Sequence, residues 1–261
     1  MKKIVKCNNP LGTIIIVHGA FEHAGRYHEL AKRFHEDGFN VIYGDLPGQG
    51  DTPGLKGHIK RFDSYIQTIK GWIFEADDQV PLFLLGHSMG GTAVIRAMEE
   101  LKPSVSGVIL SSPAAGIMNG PSKPMEVISH ILNAIWPSLR VKSPLNPHLV
   151  TRNETVSTRD QEDAFILDRV SVRWYREFRK AIQESFDYID QFPDVPLLVM
   201  QAGEDYIVDQ SKTLEWFHKT AVKEKTYKEW EGFYHELFNE PDSEIVYQYT
   251  LQFLQQQLIK S

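Results

Sequence analysis

The chain has 261 residues, of which 42% are hydrophobic and 24% are charged, a composition typical of a globular protein that can bury a large core. Its formal net charge of −6 provides no basic surface for phosphate backbones, so nucleic-acid binding is not expected. The single cysteine, Cys7, excludes an internal disulfide and is compatible with a reducing compartment.

The beginning of the chain predicts neither a signal peptide nor a membrane anchor. Its nearest apolar stretch, residues 14–17, is too short for a signal-peptide core. No stretch approaches the roughly 20 apolar residues that cross a bilayer. We therefore expect a soluble, cytoplasmic protein, which would touch a membrane only transiently and through apolar side chains.

Five short apolar runs predict buried strands, and segments of helical length separate the runs in the first half of the chain. The runs are residues 13–17, 39–43, 82–85, 107–110 and 196–200. This alternation favours an α/β fold with a mostly parallel sheet and helices on both faces. A polar or glycine-rich stretch follows each run, and these stretches would meet at the carboxyl edge of the sheet, where such folds place their active sites.

The third of these stretches is a candidate nucleophile elbow. Residues 84–91 read LLGHSMGG, in which Gly86, Ser88 and Gly90 form the pattern G-x-S-x-G. An elbow forces one serine into strained backbone angles between a strand and a helix, so the residues two before and two after it must lack bulk. An apolar run precedes the pattern and a segment of helical spacing follows it. We therefore predict that Ser88 is the nucleophile of a serine hydrolase.

Between residues 113 and 189 the alternation of strands and helices stops. This predicts a helical cap inserted into a core formed by residues 1–112 and 190–261. Two apolar stripes of helical spacing lie in the cap segment: Met125, Ile128, Ile131, Leu132, Ile135 and Trp136, and then Tyr175, Phe178, Ile182, Phe186 and Ile189. We expect most of these faces to dock the cap on the core. The alternative is that part of the first stripe lines an acyl pocket or touches a lipid surface.

After the fifth run, residues 225–230 predict a last strand and residues 244–260 a closing helix. A serine hydroxyl needs a histidine to accept its proton, and in this type of fold that histidine follows the last strand. His235 lies between the last strand and the closing helix, whereas His130 and His148 lie in the cap segment and His218 in a predicted helix. We therefore predict that His235 is the base.

A carboxylate must orient that histidine, and the expected chain order is serine, acid, histidine. Asp205 closely follows the fifth apolar run, and we prefer it as the acid. Asp209, which lies farther around the same loop, stays an alternative. Asp194 is a weaker one, since it precedes the strand.

The carbonyl oxygen of an attacked ester or amide becomes an oxyanion that requires two backbone N–H donors. One should come from Met89, the residue after the nucleophile, and the other from Ala20, in the loop after the first run. HELFN at residues 235–239 and HELAK at residues 28–32 both lack the second histidine of the zinc motif HExxH. We therefore expect neither a metal nor a cofactor.

Several longer stretches resemble one family. HGAFEHAGRY, GDLPGQG, GHSMGG, the acid after QAG and the late histidine in YHE are together similar to the monoacylglycerol lipase and lysophospholipase branch of the α/β-hydrolases, over nearly the whole chain. The resemblance implies an α/β-hydrolase fold with a lid over an acyl tunnel. It also implies a triad of Ser88, Asp205 and His235 and an oxyanion hole at Ala20 and Met89.

The resemblance further places four residues at the substrate. Glu22 and Arg26 match positions near the glycerol head in the lipases, although from the sequence alone they could equally form an ion pair at helical spacing. The chain departs from the lipases at Phe21, where they have glycine, and at Phe238, where they have a second histidine. These departures favour a different head group.

The sequence therefore predicts a serine carboxylic-ester hydrolase that acts on a single-chain lipid, such as a lysophospholipid or a monoacylglycerol. Within enzymes, the alternatives are a short-chain esterase or a serine peptidase of the same fold, because an elbow serves amides as well as esters. The alternative outside enzymes is a ligand-binding receptor with a hydrolase fold that has lost catalytic activity.

Overall fold

The computed structural model describes residues 2–118, 120–142 and 147–260; the remaining positions of the predicted cap segment, 119 and 143–146, lie outside the described residues. The strands are β1 (Lys2–Val5), β2 (Gly12–Val17), β3 (Phe39–Gly44), β4 (Leu82–His87), β5 (Gly107–Ser111), β6 (Arg140–Lys142), β7 (Arg169–Ser171), β8 (Leu197–Ala202) and β9 (Lys225–Trp230). The helices are α1 (His28–Glu36), α2 (Asp63–Glu75), α3 (Met89–Leu101), α4 (Lys123–Ile135), α5 (Glu154–Glu162), α6 (Val172–Asp187), α7 (Gln210–Lys219) and α8 (Ser243–Lys260).

Seven of the described strands form one sheet in the order β1-β3-β2-β4-β5-β8-β9. Every neighbouring pair is parallel except β1 with β3. This arrangement confirms the predicted α/β class with a mostly parallel sheet. β1 was not predicted from the sequence, because KKIV is a short edge strand whose residues alternate between exposed and half-buried.

The central strands are buried on both faces, which is why they read as unbroken apolar runs. Ile15 and Val17 of β2 pack in a cluster with residues of α2, α3, α6 and α7, whereas Ile14 and Ile16 pack in a second cluster with residues of α1 and α8. The alternation along one strand thus divides the core between the two faces of the sheet.

The two apolar stripes of the cap segment behave differently. In α6, Phe178 and Ile182 are buried against the core, and Trp174 Nε1 donates a hydrogen bond to the hydroxyl of Tyr65 on α2 at 2.8 Å. The expectation of docking therefore holds for the second stripe. It is wrong for the first, because all thirteen residues of α4 are described and none is buried. Of the six residues of the first stripe, five are exposed and Leu132 is half-buried.

Candidate active site

Ser88 lies between β4 and α3 in a sharp turn. Its backbone has φ +52° and ψ −121°, the strained geometry that an elbow requires. A Cβ atom added to Gly86 would lie 2.6 Å from the carbonyl oxygen of Gly90, and one added to Gly90 would lie 2.2 Å from that of Val17. Both glycines are therefore needed where β4, α3 and the end of β2 meet.

The structure brings Ser88, His235 and Asp205 together. The Ser88 hydroxyl lies 2.9 Å from Nε2 of His235, and Nδ1 of His235 lies 2.8 Å from Oδ2 of Asp205. These contacts assign the proton of the neutral imidazole to Nδ1, so that Nε2 accepts from Ser88 and Nδ1–H donates to Asp205. All three residues are buried, with exposures of 7%, 4% and 4%. The arrangement can take a proton from the serine oxygen and hold the resulting imidazolium.

Asp205 is held by four donors. The backbone N–H groups of Ile207 and Val208 donate to Oδ1, each at 2.9 Å, and Gln201 Nε2 donates to Oδ2 at 2.9 Å beside the histidine. Gln201 was not predicted as a site residue from the sequence. Its position on a buried strand, four residues before the acid, is a signal that could have found it.

The alternative acids have other partners. Asp209 caps the beginning of α7 by accepting from the backbone N–H of Ser211 at 3.0 Å. Asp194 forms an ion pair with Lys223 at 2.6 Å. Neither contact involves the imidazole of His235.

The charges around His235 favour its protonated form. Burial by itself lowers the pKa of an imidazole, but the carboxylate of Asp205, reinforced by Glu236 and Glu22, raises the pKa of His235 above its ordinary value. Burial works in the opposite sense on Asp205, and the contact with His235 keeps the pKa of its carboxyl below the ordinary range. Proton transfer from Ser88 to His235 is thus electrostatically supported.

A second histidine packs against the first. The rings of His87 and His235 have their centroids 4.9 Å apart. Burial, and then the proximity of His235, lower the pKa of His87 to about 4. His87 is therefore neutral when His235 is protonated and adds no opposing charge.

Residues 18–20, which we call the oxyanion loop, pack against the elbow. A Cβ atom on Gly19 would lie 3.1 Å from Cβ of Ser88. Nδ1–H of His18 donates to the carbonyl of Gly19 at 2.8 Å, and its Nε2 accepts from the N–H of Leu46 at 2.9 Å. Ala20 is the last residue of this loop and Met89 is the first residue of α3. Both predicted oxyanion donors are thus on backbone segments next to Ser88.

Glu22 and Arg26 are buried in a cluster of charges. Arg26, whose side chain is 3% exposed, contacts Glu22, Asp160 and Glu236, and we call these four residues the Arg26 cluster. Glu22 also accepts from the N–H of Gly19 and from the hydroxyl of Tyr27. Burial disfavours a charged carboxyl, yet Arg26 lowers the pKa of Glu22 to about 2. Glu22 and Arg26 thus form the ion pair that the sequence allowed, although the pair is buried. The contact of these two residues with a head group stays a prediction.

The two phenylalanines at which the chain departs from the lipases have different surroundings. Phe21 has φ +68° and packs on Trp174 with ring centroids 5.4 Å apart. Phe238 is half-buried and lines a cavity of about 210 Å³ together with Arg26, His87 and Glu236. The cavity reaches His87, which neighbours Ser88 in the chain. The predicted role of both phenylalanines at the substrate stays a prediction.

The described residues contain neither a candidate metal-binding cluster nor a helix that could span a membrane. Residues 2–118, 120–142 and 147–260 contain no group of three or more His, Cys, Asp or Glu side chains placed to hold a metal ion. In the same ranges, no helix combines the length and the apolar character that crossing a bilayer requires.

A family model described as serine aminopeptidase, S33, matches residues 8–242. The chain belongs to this family. It is a serine hydrolase, and its resemblance to the monoacylglycerol lipase and lysophospholipase branch, expected from the sequence, is confirmed.

The relatives of this hydrolase include proteins named for lipid substrates. Phospholipase YtpA of Bacillus subtilis is 44% identical over 253 residues, which are 96% of this chain and 98% of that protein. The monoacylglycerol lipase of Mycolicibacterium smegmatis is 27% identical, over 91% of this chain and 86% of its own. The crystal structure of the monoacylglycerol lipase of Paleococcus ferrophilus superimposes with a TM-score of 0.90 at 29% identity, covering 98% of both chains. The α/β-hydrolase fold is thereby confirmed.

Proposed function

We propose that this hydrolase cleaves carboxylic esters of single-chain lipids, such as lysophospholipids or monoacylglycerols, through an acyl-enzyme on Ser88. One observation carries the proposal: the imidazole of His235 bridges Ser88 Oγ, at 2.9 Å, and Asp205 Oδ2, at 2.8 Å. In this relay the imidazole can serve as base and then as acid, while Asp205 fixes its tautomer.

These positions support the following reaction. As Ser88 Oγ attacks the ester carbonyl, its proton passes to His235 Nε2, and the carbonyl oxygen becomes an anion that accepts from the N–H groups of Ala20 and Met89. The bond to the alcohol then breaks, and the alcohol leaves with the proton from His235. A water molecule gives a proton to His235 and attacks the acyl carbon, which releases the fatty acid and returns the proton to Ser88.

The lipid substrate is supported by the names of the relatives and by the surface of the cap segment. A phospholipase and monoacylglycerol lipases match nearly the whole chain. In α4 and at its end, six apolar side chains are 46–76% exposed: Met125, Val127, Ile128, Ile131, Ile135 and Trp136. Such a face, lying parallel to a bilayer, is suited to transient contact with the lipid surface from which a single-chain substrate is drawn.

A serine aminopeptidase is the second candidate, because the matching family carries that description. An aminopeptidase must bind the ammonium group of its substrate, and carboxylates near the triad could do so. In the structure, however, Glu22, Asp160 and Glu236 are all engaged by Arg26. This favours the ester over the amino-terminal peptide.

The test compares substrates with one enzyme preparation and the variant Ser88→Ala as its control. Hydrolysis is measured on monoacylglycerols, lysophospholipids and diacyl phospholipids, on p-nitrophenyl esters of two to twelve carbons, and on aminoacyl p-nitroanilides. We expect the highest kcat/KM on a single-chain lipid, and a loss of activity of about 10⁴-fold or more in the variant. A preference for the two-carbon ester, for the diacyl lipid or for the anilide would contradict the proposal.

A further inference from the structure

The side chain of Arg26 makes contacts that extend well beyond an ion pair. Its NH1 and NH2 groups donate to the two oxygens of Glu236 at 2.9 and 2.7 Å, and its Nε donates to Asp160 at 3.2 Å. NH1 also donates to Glu22, and NH2 to Asp160. A guanidinium has five N–H groups, and these five contacts engage them all. A side chain so placed is suited to hold protein segments together.

The three carboxylates come from three segments that are distant in the chain. Glu22 follows the oxyanion loop, Asp160 lies on α5 in the cap segment, and Glu236 is the residue after His235. Arg26 is therefore the point at which the cap segment, the loop of the base and the loop of an oxyanion donor meet.

The Arg26 cluster contacts the oxyanion loop directly, through Glu22. Oε1 of Glu22 accepts from the backbone N–H of Gly19, the residue before Ala20, and from the hydroxyl of Tyr27 at 2.7 Å. The other oxygen of Glu22 accepts from Arg26. A shift of the guanidinium would move this carboxylate and with it the peptide that precedes Ala20.

The cap segment holds the same region at further points. His23 Nε2 lies 2.8 Å from Oδ2 of Asp163, and the backbone N–H of Leu167 donates to the carbonyl of Phe21 at 2.8 Å. Phe21 has a positive φ, which a bulky residue adopts only where its surroundings impose it. The loop between β2 and α1 is therefore shaped partly by its contacts with the cap segment.

Within the cluster, the balance of charge makes Arg26 indispensable. Three buried carboxylates surround one buried guanidinium, and the pKa of Arg26 lies well above its ordinary value. Buried charges that lose their partner are strongly destabilised. Asp160 also contacts the half-exposed Arg159 at 2.9 Å. Neutralising Asp160 should destabilise the fold less than removing Arg26, because the guanidinium of Arg26 keeps its other two partners.

We propose that Arg26 is a positioning residue through which Asp160 of the cap segment sets the geometry of the oxyanion loop. The inference rests on the proposed function in one respect, because it takes Ala20 as an oxyanion donor. It assigns Arg26 and Glu22 a role in orienting the backbone beside Ser88. The cap segment then acts on the chemical step through its contact with Arg26.

The first test measures hydrogen exchange and does not depend on catalytic activity. Hydrogen exchange of the peptide covering residues 18–27 is compared, by mass spectrometry, in the full-length chain and in Asp160→Asn. We expect at least 10-fold faster exchange in the variant. The matched control is Glu126→Gln, which removes an ion pair with Arg176 inside the cap segment and should leave exchange unchanged. Unchanged exchange in Asp160→Asn would overturn the inference, whether or not the chain is an esterase.

The second test measures kcat and KM on p-nitrophenyl butyrate, whose short acyl chain makes little use of a cap. We expect Asp160→Asn to lower kcat about 10-fold with KM unchanged, less than the 10²–10³-fold typical of a lost oxyanion donor. Asp160→Glu should restore part of the rate, and thermal unfolding checks that each variant is folded. Equal kcat in Asp160→Asn and the wild type would contradict the inference.

A double-mutant cycle separates positioning from a general loss of stability. If Asp160 acts through Glu22, its substitution should have little effect on kcat in a Glu22→Gln background, where the link is already broken. Additive effects of the two substitutions would contradict the inference. The two proposals can fail separately. If the wild type does not hydrolyse the ester but Asp160→Asn still speeds hydrogen exchange in residues 18–27, the proposed function is refuted and the positioning role is retained.

Discussion

The carboxyl edge of the sheet and the cap segment differ in the burial and the hydrogen bonding of their residues. At the sheet edge, the contacts of Ser88, Asp205 and His235 are short, buried and backed by backbone hydrogen bonds. In the cap segment, α6 is anchored in the core, whereas α4 exposes its apolar residues. The first region is suited to fixing reacting atoms to within a fraction of an ångström, and the second to meeting a substrate or surface of variable shape.

This difference separates two properties of the enzyme. Substitutions at the sheet edge should change the rate on every substrate, because in the proposed mechanism all substrates pass through the same oxyanion. Substitutions on the apolar face of α4 should change only how lipids reach the site. The Arg26 cluster is the exception, since it joins the two regions.

The largest effect is expected at the nucleophile. Ser88→Ala should lower kcat by about 10⁴–10⁶-fold on every ester, because the remaining groups cannot form the acyl-enzyme. Circular dichroism should show an unchanged fold. Retention of most activity in this variant would remove Ser88 from the mechanism.

Asp205→Asn should have the next largest effect, a loss in kcat of about 10⁴-fold, because an amide no longer holds the imidazole in the reactive tautomer. The measurement is kcat on p-nitrophenyl butyrate, and an unchanged kcat would contradict the role of Asp205.

The pH dependence of kcat in the wild type tests the electrostatic surroundings of His235. His235 must be neutral to act as base, and its pKa is raised. Activity should therefore fall as the pH drops through an apparent pKa above 6.5, the ordinary value for histidine. An acidic limb below that value would contradict the electrostatic account of His235.

A smaller effect is expected at Gln201. Replacing Gln201 by leucine removes one hydrogen bond to a buried carboxylate and should lower kcat/KM about 10-fold with little change in KM. Thr250→Val is a matched control, since Thr250 is equally buried but donates to Val246 within α8. If both variants match the wild type, the backbone donors alone orient Asp205.

The smallest effect on chemistry is expected on α4. The double variant Ile131→Ser and Ile135→Ser should leave the rate on soluble p-nitrophenyl butyrate within about 2-fold and lower hydrolysis of monoacylglycerol in vesicles about 5-fold, since apolar area is lost from the contact. Ile259→Ser, on the 87% exposed residue near the end of α8, is the control and should change neither. Equal losses on the soluble and the vesicle substrate would refute the separation of the two regions.

The sheet and the triad geometry could be predicted because local patterns encode them. The buried strands are unbroken apolar runs, and Ser88 and His235 occupy fixed places relative to those strands. The triad was predicted from the order of its members in the chain, and the distances place the three side chains in contact.

The Arg26 cluster could not be predicted in the same way. Its contacts with Asp160 and Glu236 join residues 134 and 210 positions apart, and no local pattern marks such pairs. The face of α4 was misjudged for a related reason. Helical spacing shows that a face is apolar, but the tertiary structure decides what that face meets.

The central claim is that Ser88 is made nucleophilic by His235 and Asp205, and active-site labelling tests it most directly. The wild type and His235→Ala are treated with a fluorophosphonate, and the modified peptide is located by mass spectrometry. The account predicts one adduct, on Ser88, which forms rapidly in the wild type and at least about 10³-fold more slowly in the variant. An adduct on another residue, no adduct in the wild type, or equal labelling of both proteins would contradict it.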